Sequence, residues 1–273
     1  MKNFNINRFF QTLKWMIIDN KQKLMLWTAG STVGVFLLQF FFFYVSPHST
    51  EFQYRQTTEM VMSVCAFFVM LAVLIAVSGL FGEYATKQRR CLLLMLPASN
   101  LEKFLSAIVY SSIVSVACIL LAFVLGDTLR MLTMALFFHL PLYSGIGVFF
   151  STIFSVDLSG APISVWELVL FMILVNVLIH STYTLGGTLF RKWPFIITAV
   201  IQYVVLMLLV VFVAFLHRNF DISIPMRLIE MVNSHLLFYI ACFFLAAVSA
   251  LFYWLSYRIF CRMQIIGHKW VNV

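Results

Sequence analysis

Residues 24–45 read LMLWTAGSTVGVFLLQFFFFYV, a run without a single charged residue. A helix rises 1.5 Å per residue, so a run of this length crosses the roughly 30 Å hydrocarbon core of a bilayer. Further runs of comparable length and apolarity cover 60–82, 105–126, 131–156, 165–190, 195–216 and 236–260. They lack the alternation of a transmembrane barrel, and lipid forbids unpaired backbone. The sequence therefore predicts an all-α integral membrane protein.

The composition excludes a soluble domain. Of the 273 residues, 63% are hydrophobic and 10% are charged, whereas soluble domains are about 25% charged. The net charge of +8 therefore indicates membrane topology rather than nucleic-acid binding. No G-x-x-x-x-G-K-[ST] phosphate loop and no His/Cys cluster occurs, so we expect no enzyme activity, no cofactor and no metal in this chain. The five cysteines imply no disulfide framework.

The basic residues predict the orientation. All but four of the 18 lie in segments that would share one face if the N-terminus were cytoplasmic. These segments are the N-terminal 23 residues, the loop 83–104, the pair Arg191 and Lys192, and the chain end with Arg258, Arg262 and Lys269. The exceptions, Arg55, Arg130, Arg218 and Arg227, lie near acidic residues. We therefore expect both termini in the cytoplasm.

One segment conflicts with this orientation. Three apolar runs lie between the basic loops at 83–104 and 191–194, and an odd number of crossings cannot return to the same side. The weakest of them is 131–156, which contains His139 and Pro141 and is flanked by charges. We interpret it as a re-entrant or broken hairpin on the outer side, which leaves six transmembrane helices; seven full crossings is the alternative.

The predicted organisation is simple. Residues 1–23 form an amphipathic interfacial helix, since Ile6, Phe9, Leu13 and Ile17 recur at helical spacing. Residues 24–260 form a single transmembrane domain, interrupted by the cytoplasmic loop 83–104, and 261–273 form a cytoplasmic tail.

The predicted spans contain no Asp, Glu, Lys or Arg near their centres. Ion-driven transporters usually need such a residue, so the pattern favours energy supplied by a partner. Asn176, His180 and Thr184 follow one helix face at i, i+4 and i+8, and Gln202 lies in the next span. This strip could line a path or an interface, or it could serve ordinary interhelical hydrogen bonding.

The loop 83–104 contains a short basic helix, a break and a new helix start. Pro97 disfavours helix at the preceding residue, and Ser99 with Glu102 forms a capping box. A basic helix with a rigid corner is suited to docking on another protein, although a cytoplasmic loop followed by a capped span explains it equally well.

This loop resembles that of the permease subunits of type-2 ATP-binding-cassette (ABC-2) exporters. The resemblance rests on Leu94-Met-Leu96-Pro97-Ala98-Ser99 followed by Glu102-Lys103, within an architecture of an interfacial helix and six spans. It implies a coupling helix that contacts a separate ATPase subunit, a second permease copy or paralogue, and a bacterial inner membrane. The positions it carries over as coupling residues are Glu83, Arg89, Arg90, Leu96, Pro97, Glu102 and Lys103. Asn100 stands where the family usually has arginine.

Two other functions remain open at this stage. A non-transporting scaffold or accessory subunit would use the basic loops to recruit a partner or anionic lipid. A lipid-modifying membrane enzyme would require His139 and His180 to act together in one cavity.

Overall fold

The computed structural model describes residues 4–45, 51–79, 87–139, 142–154, 164–220 and 234–262. Within these ranges the chain is helical and contains no β-strand. The helices are α1 (Ile6–Asp19), α2 (Lys21–Val45), α3 (Glu51–Ser78), α4 (Lys87–Met95), α5 (Asn100–Val109), α6 (Ser115–Phe138), α7 (Gly145–Phe154), α8 (Val165–Leu189), α9 (Pro194–Phe220) and α10 (Ser234–Cys261). A π turn, Tyr110–Val114, joins α5 to α6 without a break.

Six helices in the described ranges are long and apolar enough to cross a membrane. They are Lys21–Val45, Phe52–Ser78, Asn100–Phe138, Val165–Leu189, Pro194–Phe215 and Phe238–Cys261. The all-α fold and the number of membrane-length helices are thereby confirmed. Two of them, Asn100–Phe138 and Val165–Leu189, lie between the basic loops at 83–104 and 191–194. Two crossings would return the chain to the same side, and the cytoplasmic position of both loops stays a prediction.

The third of these helices differs from the prediction. It does not end at Gly126 but continues through α6 to Phe138, so the first part of the predicted segment 131–156 belongs to it. The helix ends at His139, whose φ of 53° is left-handed, and α7 follows as a separate short helix. The segment is thus broken, whereas its re-entrant position stays a prediction and residues 155–163 lie outside the described ranges.

The π turn inside this helix has a local cause. The backbone N–H of Ser115 donates to the carbonyl of Tyr110, five residues earlier, and the Ser115 hydroxyl donates to the same oxygen at 3.2 Å. The hydroxyl of Ser111 donates to the carbonyl of Ile108 at 3.1 Å. Serine side chains compete with backbone N–H groups for carbonyl oxygens, which loosens the i to i−4 ladder at this point.

The chain divides into two compact units. The first comprises residues 1–76 and 105–157, and the second comprises 77–104 and 158–273. In the first unit α2 packs along α6, where Gly126 faces Val35; a Cβ at Gly126 would lie 2.7 Å from Val35 Cγ1. In the second unit α8 packs against α10 and α9, and Gly186 faces Thr198 of α9. Small residues at these crossings let apolar helices approach closely.

Helix α1 belongs to the first unit. It starts at Asn5, whose side-chain oxygen accepts a hydrogen bond from the N–H of Asn7 at 2.9 Å. Its inner face is held by the hydroxyl of Ser106, which donates to the carbonyl of Phe9 at 3.2 Å. Ile6 and Phe10 remain exposed on the other side. The helix lies within residues 1–23, and its location at the membrane interface stays a prediction.

Candidate functional site

Residues 87–103, here called the corner segment, belong to the second unit. They comprise α4, a short turn and the first residues of α5. Helix α4 ends at Met95, two residues before Pro97. The N–H of Leu96 donates to the carbonyl of Leu93 at 3.4 Å, and the N–H of Ala98 donates to that of Leu96 at 2.8 Å. These two turns separate α4 from α5 within a few residues, because proline cannot continue the helix.

The new helix begins with a complete capping box. The N–H of Glu102 donates to Ser99 Oγ at 3.3 Å, and the N–H of Ser99 donates to Glu102 Oε2 at 2.7 Å. The Glu102 side chain is fully buried, and it lies at the N-terminal end of a helix, where negative charge is favourable. The capping box predicted from Ser99 and Glu102 is confirmed.

Lys103 fastens the two helices of the corner together. Its Nζ donates to the carbonyl of Leu94 at 2.8 Å, and its side chain is 4% exposed. The last carbonyls of a helix lack partners within that helix, so a lysine from the following helix satisfies one of them. Leu93 and Arg90 form the buried face of α4. The corner is therefore a rigid unit rather than a loose loop.

The opposite face of α4 is exposed and partly apolar. Leu92 is 54% exposed and Met95 79% exposed, and Gln88, Arg89 and Pro97 are exposed beside them. Leu92 and Met95 are three residues apart and therefore neighbours on the helix surface. A compact apolar pair flanked by a guanidinium is a composition that protein interfaces favour.

A second basic loop contributes to the charge around Arg90. Burial lowers the pKa of the Arg90 guanidinium from its ordinary value, and the positive charge of Arg191 lowers this pKa further. Arginine nevertheless remains protonated in proteins. Arg191, in the short connection after α8, therefore lies close enough to Arg90 in the same unit for the two positive charges to interact. The shared cytoplasmic side of the two basic loops stays a prediction.

The structure distributes the seven predicted coupling residues over three environments. Arg89 and Pro97 are exposed, and Leu96 is half-buried. Arg90, Glu102 and Lys103 are buried, so they shape the corner from within. Glu83 lies outside the described residues.

The predicted polar strip is brought together only in part. His180 Nδ1 lies 2.6 Å from the Tyr253 hydroxyl of α10, and the Thr184 hydroxyl donates to the carbonyl of His180 at 2.8 Å. Asn176 is exposed and donates to the carbonyl of Met172 in its own helix. Gln202 is half-buried on α9. The contact between His180 and Tyr253 joins two helices, whereas the Thr184 bond stays within α8. The role of the strip, as a path, an interface or ordinary interhelical bonding, stays a prediction.

Sequence reasoning missed a buried ionic network in the first unit. Arg130 Nη2 donates to Asp127 Oδ1 at 2.7 Å and to the carbonyl of Tyr143 at 2.8 Å, and Nη1 donates to the Tyr54 hydroxyl at 3.3 Å. The N–H of Ile146, in the first turn of α7, donates to Asp127 Oδ2 at 3.3 Å. The opposite charges at i and i+3 inside an apolar run are the sequence signal that indicates such a pair.

The two histidines considered for lipid chemistry belong to different units of the chain. His139 ends α6, and His180 is engaged by Tyr253. No group of His, Cys, Asp and Glu suited to a metal ion occurs among the described residues. No family model, curated protein or solved structure matches this chain.

Proposed function

We propose that this protein is the membrane permease subunit of an ABC-2-type export system. It works with a separate ATPase subunit and with a second permease, either a copy of itself or a paralogue, in a bacterial inner membrane. The observation that carries the proposal is the exposed pair Leu92 and Met95 beside Arg89. They lie on the corner segment, which continues directly into a membrane-length helix.

The corner suits the transmission of a displacement. A push on α4 reaches α5 through the Lys103 bond to Leu94 and through the capping box at Ser99. Each contact ends on the first turn of a continuous helix, Asn100–Phe138, which is about 58 Å long for its 39 residues at 1.5 Å per residue. In this mechanism Arg89, Leu92, Met95 and Pro97 contact the ATPase, whereas the buried residues position them.

The pairing of two intramembrane charges supports a partner as the energy source. Asp127 and Arg130 lie within the third membrane-length helix but neutralise each other in a hydrogen-bonded pair. The Asp127 carboxylate is engaged by Arg130 and is not free to bind a proton or a sodium ion, as the carboxylate of an ion-driven carrier would need to be. ATP hydrolysis by a partner is the alternative source, and this chain contains no phosphate loop of its own.

The docking surface can be tested by reversing its charge and removing its apolar tip. We expect Arg89→Glu and Met95→Glu each to lower the amount of ATPase subunit that co-purifies with the full chain by roughly tenfold, since the loss of one central contact is about 1.4 kcal/mol or more. Lys14→Glu, an equal charge reversal at an exposed position of α1, is the control and should leave co-purification unchanged.

Absence of any ATPase among the partners of the wild-type chain would refute the proposal. A scaffold or accessory subunit would instead retain a partner through the same surface without substrate export. Export and ATPase activity measured together in reconstituted vesicles separate these cases: a permease couples them, and Arg89→Glu should reduce both.

A further inference from the structure

A cavity of about 260 Å³ lies between α2, α3 and α6 of the first unit. Its walls include Gly34, Val35, Leu38, Cys65, Ala72 and Ile119. An engineered protein cavity of about 150 Å³ with an apolar lining stays dry and accepts benzene. This cavity is therefore large enough for a small organic molecule, and its apolar wall gives water few partners.

Gln39 places a polar group beside this cavity. Its side chain is fully buried, and its Nε2 has sulfur partners alone among the described residues, at 3.7 Å from Cys65 Sγ and 4.0 Å from Met62 Sδ. Within the described ranges its Oε1 has no hydrogen-bond partner. If the oxygen and nitrogen of the Gln39 amide were assigned the other way round, one of them would still face sulfur atoms and the other would still lack a matched hydrogen bond.

An unmatched buried amide is unfavourable, because the group loses its hydration and gains no full hydrogen bond. Gln39 follows Val35 by four residues and so lies on the helix face that lines the cavity. Its neighbour Cys65 is itself part of the wall. Gln39 is also about 9 Å along the helix from Val45, six residues at 1.5 Å each, and hence within the apolar run.

We propose that this cavity binds an apolar molecule drawn from the bilayer that carries one hydroxyl group, with the hydroxyl bonded to the Gln39 amide. The hydrocarbon part fills the space beside Gly34 and Ile119. The hydroxyl supplies the hydrogen bond that the protein leaves unmade at Gln39. This site does not depend on the proposed export function, and it is formed by one unit of a single chain.

The test uses octan-1-ol as the ligand, with the full chain in phospholipid nanodiscs. A photoreactive octanol that carries a diazirine in its chain is crosslinked, and the labelled peptides are identified by mass spectrometry. We expect label on the peptides that contain Cys65 and Ile119. An excess of octan-1-ol should suppress this label at least tenfold more effectively than the same concentration of octane.

Two variants fill the cavity from different helices. A Cβ at Gly34 would meet nothing within 4 Å, so Gly34→Leu extends into open space, and Ala72→Leu does so from α3. We expect each to reduce the label about tenfold. The matched control is Gly30→Leu, on the same helix and equally open at Cβ but not part of the wall; it should keep the label.

Gln39→Leu tests the hydrogen bond. In this variant octan-1-ol and octane should suppress the label equally well, because the hydrogen bond is lost while the cavity still accepts hydrocarbon. Label that persists in both Gly34→Leu and Ala72→Leu would overturn the site. Equal protection by octanol and octane in the wild-type chain would overturn the role of Gln39, and this comparison requires no substitution.

Discussion

The guanidinium of Arg130 is completely buried and contacts residues of α2, α3 and α6 and of the segment before α7. It holds Asp127 of its own helix, the hydroxyl of Tyr54 in α3 and the carbonyl of Tyr143 before α7, and it lies 4.8 Å from the centre of the Phe43 ring. A buried ion pair gains from mutual attraction but pays for lost hydration. The net contribution of the Asp127–Arg130 pair to the free energy of unfolding is therefore smaller than the loss expected when only one of the two residues is replaced.

We predict that Arg130→Met lowers the free energy of unfolding by about 3–5 kcal/mol, because it leaves the Asp127 carboxylate buried and unpaired. The double variant Asp127→Leu with Arg130→Met should recover most of this loss. Thermal unfolding followed by circular dichroism in detergent micelles measures both. A double variant as unstable as the single one would contradict the pairing argument.

A matched control lies in the same unit. Arg55 and Glu59 form an exposed pair at 3.4 Å, with side chains 55% and 38% exposed. Because exposed pairs contribute about 0.2–1 kcal/mol, Arg55→Met should change stability by less than roughly 1 kcal/mol. Both substitutions remove one positive charge, so a difference between their effects on stability measures the contribution of burial.

Residue-scale prediction from the sequence was uneven for a physical reason. Ser99 and Glu102 could be recognised as a capping box because their interaction is local and their spacing is fixed. Asp127 and Arg130 were expected near an outer loop, since charges are costly inside a membrane helix. Their burial depends on Tyr54 and Tyr143, which no local pattern connects to them.

Among the elements, α5 and α8 begin in the same way. Ser164 and Glu167 form a second capping box, with the N–H of Glu167 donating to Ser164 Oγ at 3.3 Å and the N–H of Ser164 donating to Glu167 Oε2 at 2.9 Å. The two boxes have similar local geometry. They differ in position, because only that of α5 lies within the corner segment.

This pair yields a prediction that separates stability from coupling. Ser99→Ala and Ser164→Ala should each cost about 1 kcal/mol of stability, which thermal unfolding measures. Ser99→Ala should in addition lower the stimulation of ATPase activity by substrate in reconstituted vesicles, since it loosens the start of α5. An equal effect of the two substitutions on ATPase activity would remove the corner from the coupling mechanism.

At the scale of the whole molecule, the number and type of the long helices could be predicted from apolar run length, and their packing could not. Every span is apolar on all sides, so no stripe identifies the face that contacts a neighbour. The contacts are instead set by positions such as Gly126 against Val35 and Gly186 against Thr198. Close approach of this kind depends on the partner helix, which one segment does not reveal.

The six membrane-length helices lead to a topological prediction. In a chain whose native cysteines are replaced by serine, the exposed positions Gln88 and Leu142 are changed to cysteine one at a time. A membrane-impermeant maleimide added to intact cells should label Leu142→Cys, and it should label Gln88→Cys only after the membrane is opened. Seven full crossings would place residue 142 inside the bilayer, where it would remain unlabelled.

The π turn at Tyr110–Val114 places one more residue in its turn than an α-helix would hold. Each helical residue turns the chain by about 100°, so the turn sets the direction in which everything after it faces. In this rotational phase Arg130 meets the carbonyl of Tyr143, and Asp127 meets the first turn of α7. An ancestor or relative that lacked one residue here would present a different face of α6 to α2, and its buried charges would need other partners. The length of this turn thus determines the rotational orientation of α6, the part of the helix that follows it.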